Sequence, residues 1–208
     1  MTLSDLPVRG FADLLGSDAP APGGGSAAAL EGALGAALTA MVSALTLGRK
    51  KFAEHEEFAK LLFSEMSDLK TAFLDAMEQD NAVFTHFSQT MALPKDTEEE
   101  KTARTAAMQA ALADCTRAPL TVMELSLRAL ELTKTAIGRT NTGAASDIGV
   151  AALSLKAAAQ GAWLNVLINV GLLKDAALAE GFRARGAELL AASTALADEI
   201  YNEIEQSL

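Results

Sequence analysis

Across residues 54–93, apolar side chains recur every third or fourth position, at Phe58, Leu61, Leu62, Met66, Leu69, Phe73, Met77, Phe84 and Phe87, with one slip of seven where Asp80 falls. That period predicts one amphipathic helix, and at 1.5 Å per residue it would be ~60 Å long. Pro94 stops it. Two other stretches are apolar on every side: residues 26–47, whose single charge is Glu31, and residues 150–173, which contain Lys156, Gln160, Asn165 and Asn169. Either is long enough to cross a bilayer. The first is mostly small, weakly lipophilic residues, and the second carries polar groups that hydrocarbon tolerates poorly, so both are expected to be core helices enclosed by other helices. Gly32, Ala33, Gly35, Ala36, Ala37 and Ala40 would let neighbouring backbones come close.

The remaining boundaries follow from caps and breakers. Ser4 or Asp5 is placed to cap a short helix ending at Leu15, residues 16–25 form a Pro- and Gly-rich loop, and Ser26 would cap the first core helix. Gly48, Arg49, Lys50 and Lys51 close that helix. Thr97 and Glu100 form a capping box for a helix that Pro119 must kink or locally break before about Ile137. Residues 138–146 make a turn, Ser146 or Asp147 caps the second core helix, and residues 175–208 read as a last amphipathic helix. The expected fold is all-α: a bundle of five or six helices, several long, dimerising through helices, in one domain over residues 1–208.

Composition agrees and narrows the function. Forty-three alanines beside one Trp and one Tyr favour helix over sheet. Seventeen Lys and Arg against 27 Asp and Glu give a net charge of −10, the wrong sign for coating nucleic acid or an anionic membrane. The single Cys115 excludes an intrachain disulfide framework and multi-cysteine zinc sites. His55, His86 and Cys115 lack the H-x-E or C-x-x-C spacing of zinc hydrolases and deaminases, so no metal is expected. The N-terminus MTLSDLPVRG has acid and proline where an export signal has a basic run and an apolar core, which points to the cytoplasm.

Few residues are candidates for chemistry. Gly23, Gly24, Gly25 and Ser26 precede a helix and form either a cradle of backbone N–H groups for an anion or a turn with a serine cap. They match neither a Walker A loop nor a dinucleotide fingerprint. Arg49, Lys50 and Lys51 either complement a helix dipole or hold an anion. His86 is a partly buried helix histidine or a proton carrier, while His55, among glutamates, is read as solvated and Cys115 as packed. Asp80 occupies a position where the apolar stripe calls for a core residue; a carboxylate turned into a helix interface has its charged form disfavoured, which suits proton transfer. Otherwise Glu78, Asp80 and Asn81 are a polar face. Asn165 and Asn169 share one helix face in an apolar run, and either join helices or bind a heterocycle.

Several of these segments recur in one family. Ala21-Pro22-Gly23-Gly24-Gly25-Ser26-Ala27-Ala28-Ala29, Met41-Val42, Leu45-Thr46 with Gly48-Arg49-Lys50-Lys51-Phe52, Leu93-Pro94-Lys95-Asp96-Thr97, Ser146-Asp147 and Asn165-Val166-Leu167-Ile168-Asn169 resemble the cyclodeaminase/cyclohydrolase family of folate one-carbon enzymes over almost the whole chain. The resemblance implies a helical homodimer with a tetrahydrofolate derivative bound as substrate in a groove involving the dimer interface. It implies Asp80 as catalytic acid, within an Asp-x-x-Ala-Phe segment in which Val83 replaces the usual Ala. Gly24, Gly25 and Ser26 would line the pocket, Asp147, Asn165 and Asn169 would read the pterin edge, and Arg49, Lys50 and Lys51 would hold the glutamate tail. Asn141 joins the binding set, although Thr140 stands where relatives commonly have Gly.

The serine of Gly-Gly-Gly-Ser and the Asn165–Asn169 run lean toward 5-formiminotetrahydrofolate cyclodeaminase, which releases ammonia and forms 5,10-methenyltetrahydrofolate. Chain length and residues 97–107 also suit a methenyltetrahydrofolate cyclohydrolase. A third possibility, a non-enzymatic helical scaffold dimer, needs only the long apolar helices.

Overall fold

The computed structural model describes residues 2–208. Six α-helices account for most of them: α1 Val8–Leu15, α2 Gly24–Ala44, α3 Glu56–Met91, α4 Glu98–Ala136, α5 Ala145–Val170 and α6 Ala176–Ser207. Short 3-10 turns precede α1, α3 and α5 at Leu3–Asp5, Lys50–His55 and Thr142–Ala144, and no strand occurs among the described residues.

The two apolar stretches became α2 and α5, which pack antiparallel to each other at the centre. Both pass the length and composition test for crossing a membrane. Here α2 is flanked by α3 and α5, and α5 by α4 and α6. The close approach is made by glycine. A Cβ on Gly32 would lie 2.3 Å from the ring of Phe73 on α3, and one on Gly35 would lie 2.7 Å from Leu155 on α5. Phe73 and Leu155 are fully buried, so neither ring nor branch has space to retreat. Helix α4 runs parallel to α2, and the buried hydroxyls of Thr39 and Thr133 hydrogen-bond across that diagonal at 2.9 Å. At the far side, Trp163 of α5 covers Gly186 of α6.

Several predicted boundaries move. The short N-terminal helix is divided, because Pro7 holds Leu6 extended; Ser4 and Asp5 sit in the 3-10 turn and α1 begins at Val8. Helix α2 starts at Gly24, with Gly23 at the N-cap, so Gly24 and Gly25 belong to the helix and Ser26 does not cap it. Neither Ser146 nor Asp147 caps α5, which continues directly from the 3-10 turn capped by Asn141, and α5 ends at Val170. Pro119 does not break α4, which runs uninterrupted for 39 residues. The capping box of Thr97 and Glu100 is present as predicted.

Helix lengths are unequal, and this places a cleft. Gly25 of α2 lies against Asp80 of α3. The last eleven residues of α3 therefore overhang the start of α2 by ~16 Å. The first turns of α4 pair with that overhang, tied by Arg104 to the Met91 carbonyl at 3.0 Å.

The glycines yield a paired prediction. Gly32→Ala gains about 1 kcal/mol of helix propensity but meets the immobile Phe73 ring, for a net loss of about 1–2 kcal/mol. Gly181→Ala on α6 meets nothing within 4 Å and is expected to gain about 1 kcal/mol. Urea unfolding of the two variants measures the contrast.

Candidate active site

At the step where α2 begins beneath the α3–α4 overhang lies a cleft of about 350 Å³. Its floor is Gly23, Gly24 and Gly25, and the preceding loop adds Pro20 and Ala21. Asp80, Asn81, Val83, Phe84 and Phe87 of α3 form one wall, Leu112 and Cys115 of α4 another, and Asn165, Ile168 and Asn169 of α5, with Leu172 just beyond its end, close the third. Among the described residues the lining contains no Lys, Arg or His, and Asp80 is its one carboxylate.

Asp80 is positioned by α2. Its Oδ1 lies so close to Gly25 that a Cβ there would be 2.3 Å away, and its Oδ2 accepts a 2.9 Å hydrogen bond from the Ser26 hydroxyl. Ser26 is fully buried. Burial pushes the Asp80 carboxyl above its ordinary value, and the Ser26 hydrogen bond partly opposes that rise. The serine thus binds the carboxylate from behind: contrary to expectation it neither caps its helix nor lines the cleft, because its hydroxyl is buried against Asp80. The sequence expectation that Asp80 points into a helix interface is met at the rim of this cleft, and Phe84 and Phe87, assigned by the same stripe to the core, are its wall.

The two asparagines are also brought here. Asn165 donates its amide N–H to the Gly161 carbonyl at 2.9 Å, and Asn169 donates to the Cys115 carbonyl on α4 at 2.7 Å. Only Asn169 joins two helices, Asn165 bonding back to its own, and among the described residues neither side-chain oxygen accepts a protein hydrogen bond. Cys115 donates to the Val83 carbonyl at 3.4 Å, and burial, the nearby Asp80 charge and Asp114 push its thiol up to about 11. It is a neutral, packed thiol at physiological pH.

Five predicted binding residues lie elsewhere. Arg49, Lys50 and Lys51 follow the C-terminal end of α2, ~30 Å along the helix from Gly24. Arg49 donates to the Leu45 carbonyl at 3.1 Å and so caps that end, while Lys51 sits 5.3 Å over the Phe52 ring. Asn141 joins the same end, its backbone N–H on Thr46 and its amide on the Leu45 carbonyl. Asp147 is in the first turn of α5, at the opposite end of that helix from Asn165. Within one chain these five do not border the cleft, because antiparallel packing sends the two ends of α2 and α5 apart. Pro20, Leu112 and Leu172 border it without having been singled out, because a loop proline and apolar helix residues carry no local signal that separates a cleft from a core. No group of three metal-ligating side chains occurs among the described residues.

A stability test isolates Asp80. Its folded carboxyl titrates above the free value of 3.8, so the native state holds the proton longer and loses stability as pH rises from that value through the folded pKa. Asp80→Asn removes the buried charge and keeps an acceptor for Ser26. The variant is expected to be at least as stable as the parent at pH 7 and to lose the parent's fall in stability across that window, measured by urea unfolding at several pH values.

Comparison with known proteins joins fold and cleft. Residues 7–188 match the family model described as Formiminotransferase-cyclodeaminase. The chain is 37% identical over 201 residues to the Methenyltetrahydrofolate cyclohydrolase of Methylorubrum extorquens, covering 97% of each chain. It is 32% identical over 204 residues to the Formimidoyltransferase-cyclodeaminase of Sus scrofa, covering 98% of this chain and 38% of that one. The crystal structure of formiminotetrahydrofolate cyclodeaminase from Thermotoga maritima superposes with a TM-score of 0.82 at 24% identity, over 98% of this chain and 96% of that one, and shares the helical-bundle fold. The matched span and these identities show that the chain belongs to the formiminotransferase-cyclodeaminase family.

Proposed function

We propose that the protein is a methenyltetrahydrofolate cyclohydrolase, hydrolysing the one-carbon bridge of 5,10-methenyltetrahydrofolate to 10-formyltetrahydrofolate. The observation that carries this reading is a partly desolvated carboxylate, Asp80, in a mostly apolar cleft with two free amide oxygens and no cationic side chain among the described lining residues. The methenyl carbon between N5 and N10 is cationic, and a water-poor site strengthens its attraction to Asp80. The end-to-end match to a cyclohydrolase, at higher identity than the porcine relative, moves the balance from the cyclodeaminase that the motifs favoured.

In this mechanism the Asp80 carboxylate takes a proton as water adds to the methenyl carbon, giving a neutral carbinolamine. The protonated Asp80 then donates to N5 as the carbon–N5 bond breaks, and the hydroxyl loses its proton to leave the N10-formyl group. One proton is released overall. Phe84 and Phe87 offer apolar faces to the pterin, whose N–H groups suit the Asn165 and Asn169 oxygens. Cyclodeamination is the second reading, supported by the family description and the porcine relative. It meets the first at the same cation: N10 attacks the formimino carbon, its proton passes to the imino nitrogen, and that nitrogen leaves as ammonia with a second proton supplied by Asp80, which forms the methenyl bridge.

A second copy supplies what one chain separates. Leu34 of α2 and Val150, Leu153, Leu164 and Ile168 of α5 form an exposed apolar face, and Ile168 also lines the cleft. A homodimer packed two-fold across this face would run α2 and α5 against their copies and carry a partner's basic turn toward the cleft, where the glutamate tail projects.

Methenyl absorbance tests the reaction. Loss of 5,10-methenyltetrahydrofolate absorbance faster than the uncatalysed rate is expected, with kcat falling about 10²–10⁴-fold in Asp80→Asn. Ammonia release from 5-formiminotetrahydrofolate without that hydrolysis would select the second reading. No turnover of either and no thermal shift with a folate would leave the scaffold. Leu164→Glu with Ile168→Glu is expected to yield monomers by sedimentation and to raise KM.

A further inference from the structure

Pro119 stands in the interior of α4, which continues as helix on both sides of it. Proline has no N–H, so the carbonyl four residues earlier loses its helical partner. That carbonyl belongs to Cys115, and it is the one to which Asn169 of α5 donates at 2.7 Å. The amide nitrogen must face Cys115, because two oxygens would repel, and the asparagine oxygen is turned to the other side. Asn169 lines the cleft, so that oxygen is an acceptor of fixed orientation there. Asn165 differs: its amide reaches the Gly161 carbonyl of its own helix, four residues back, where a backbone N–H already competes. The Cys115 thiol does not compete for Asn169, since it donates to Val83.

We infer that Pro119 is a positioning residue: by leaving the Cys115 carbonyl unpaired, it clamps the Asn169 amide so that its oxygen is presented to a substrate N–H donor in the cleft. The substrate half of this inference rests on the folate reading; the clamp itself does not. Pro119 is buried and outside the cleft lining, so its effect on binding would pass through α4 and Asn169 alone.

Pro119→Ala returns an N–H to position 119, which competes for the Cys115 carbonyl and loosens the Asn169 clamp to the shared arrangement seen at Asn165. The variant is expected to melt at or above the parent temperature, yet to show KM for 5,10-methenyltetrahydrofolate raised about five- to tenfold with kcat within about twofold. A purely structural proline would change stability without moving KM. Asn169→Ala orphans the carbonyl and should lower the melting temperature, and adding Pro119→Ala should recover more than Pro119→Ala gains in the parent. The side-chain amide resonances of Asn169, identified by their loss in Asn169→Ala, should shift in Pro119→Ala. Unchanged amide resonances, or strictly additive melting temperatures, would overturn the clamp whatever the substrate is. A shifted amide with unchanged KM would overturn its role in binding. Failure of the parent to turn over folates, with the amide shift and non-additivity intact, would count against the folate reading and leave the clamp standing.

Discussion

The approach of α2 to its neighbours, closer than any side chain allows, governs this fold. Gly25, Gly32 and Gly35 let the α2 backbone rest directly on Asp80, Phe73 and Leu155. Each contact places a different kind of group: a carboxylate at one end, an aromatic ring at the middle, a branched aliphatic toward the other neighbour. A methyl group at Gly32 would push α3 away, and a methyl group at Gly25 would push Asp80 off the serine that holds it. Packing against α3 and the seating of Asp80 are therefore set by one face of α2, and the alanine-rich composition keeps the helix thin on its other sides as well.

Buried polar groups set the vertical register that small residues leave free. The Thr39–Thr133 pair ties α2 to α4, Ser26 ties α2 to Asp80, and Asn169 ties α5 to α4. Smooth alanine surfaces could slide past one another at little cost. A slide by one turn here would strand hydroxyl, carboxyl and amide groups in an apolar interior, where each lost hydrogen bond costs about 1–3 kcal/mol. Asp80 is thus held accurately by partners that also fix the bundle.

Much of this was legible along the chain. The length of α3 followed from its period, the start of α4 from its capping box, and the burial of α2 and α5 from their uniform apolarity. The slip at Asp80 marked the cleft, although the stripe beyond it looked like core because a wall of a cleft and a wall of a core carry the same residues. Two things were not legible. A glycine helix start reads as loop, since nothing local shows that Gly25 is needed in helical form to admit Asp80. The joint assignment of Arg49 and Asn165 to one ligand failed within a single chain because linear order does not tell which end of an antiparallel helix a residue will reach.

The overhang of α3 and α4 is tied down at one further point. Residues 91–99 at its tip are all exposed, and Gln109 of α4 anchors the pair to the turn after α5, donating to the Leu172 carbonyl at 3.1 Å and accepting from the Lys174 amide at 2.7 Å. Phe84, Phe87 and Leu112 are carried by this overhanging pair, whereas Gly24, Gly25, Asn165 and Asn169 are carried by the two central helices. Wall and floor of the cleft therefore belong to different helices: the α3–α4 pair sets how far the apolar side chains stand apart, and the central α2–α5 pair, packed through glycine, sets the base on which Asp80 rests.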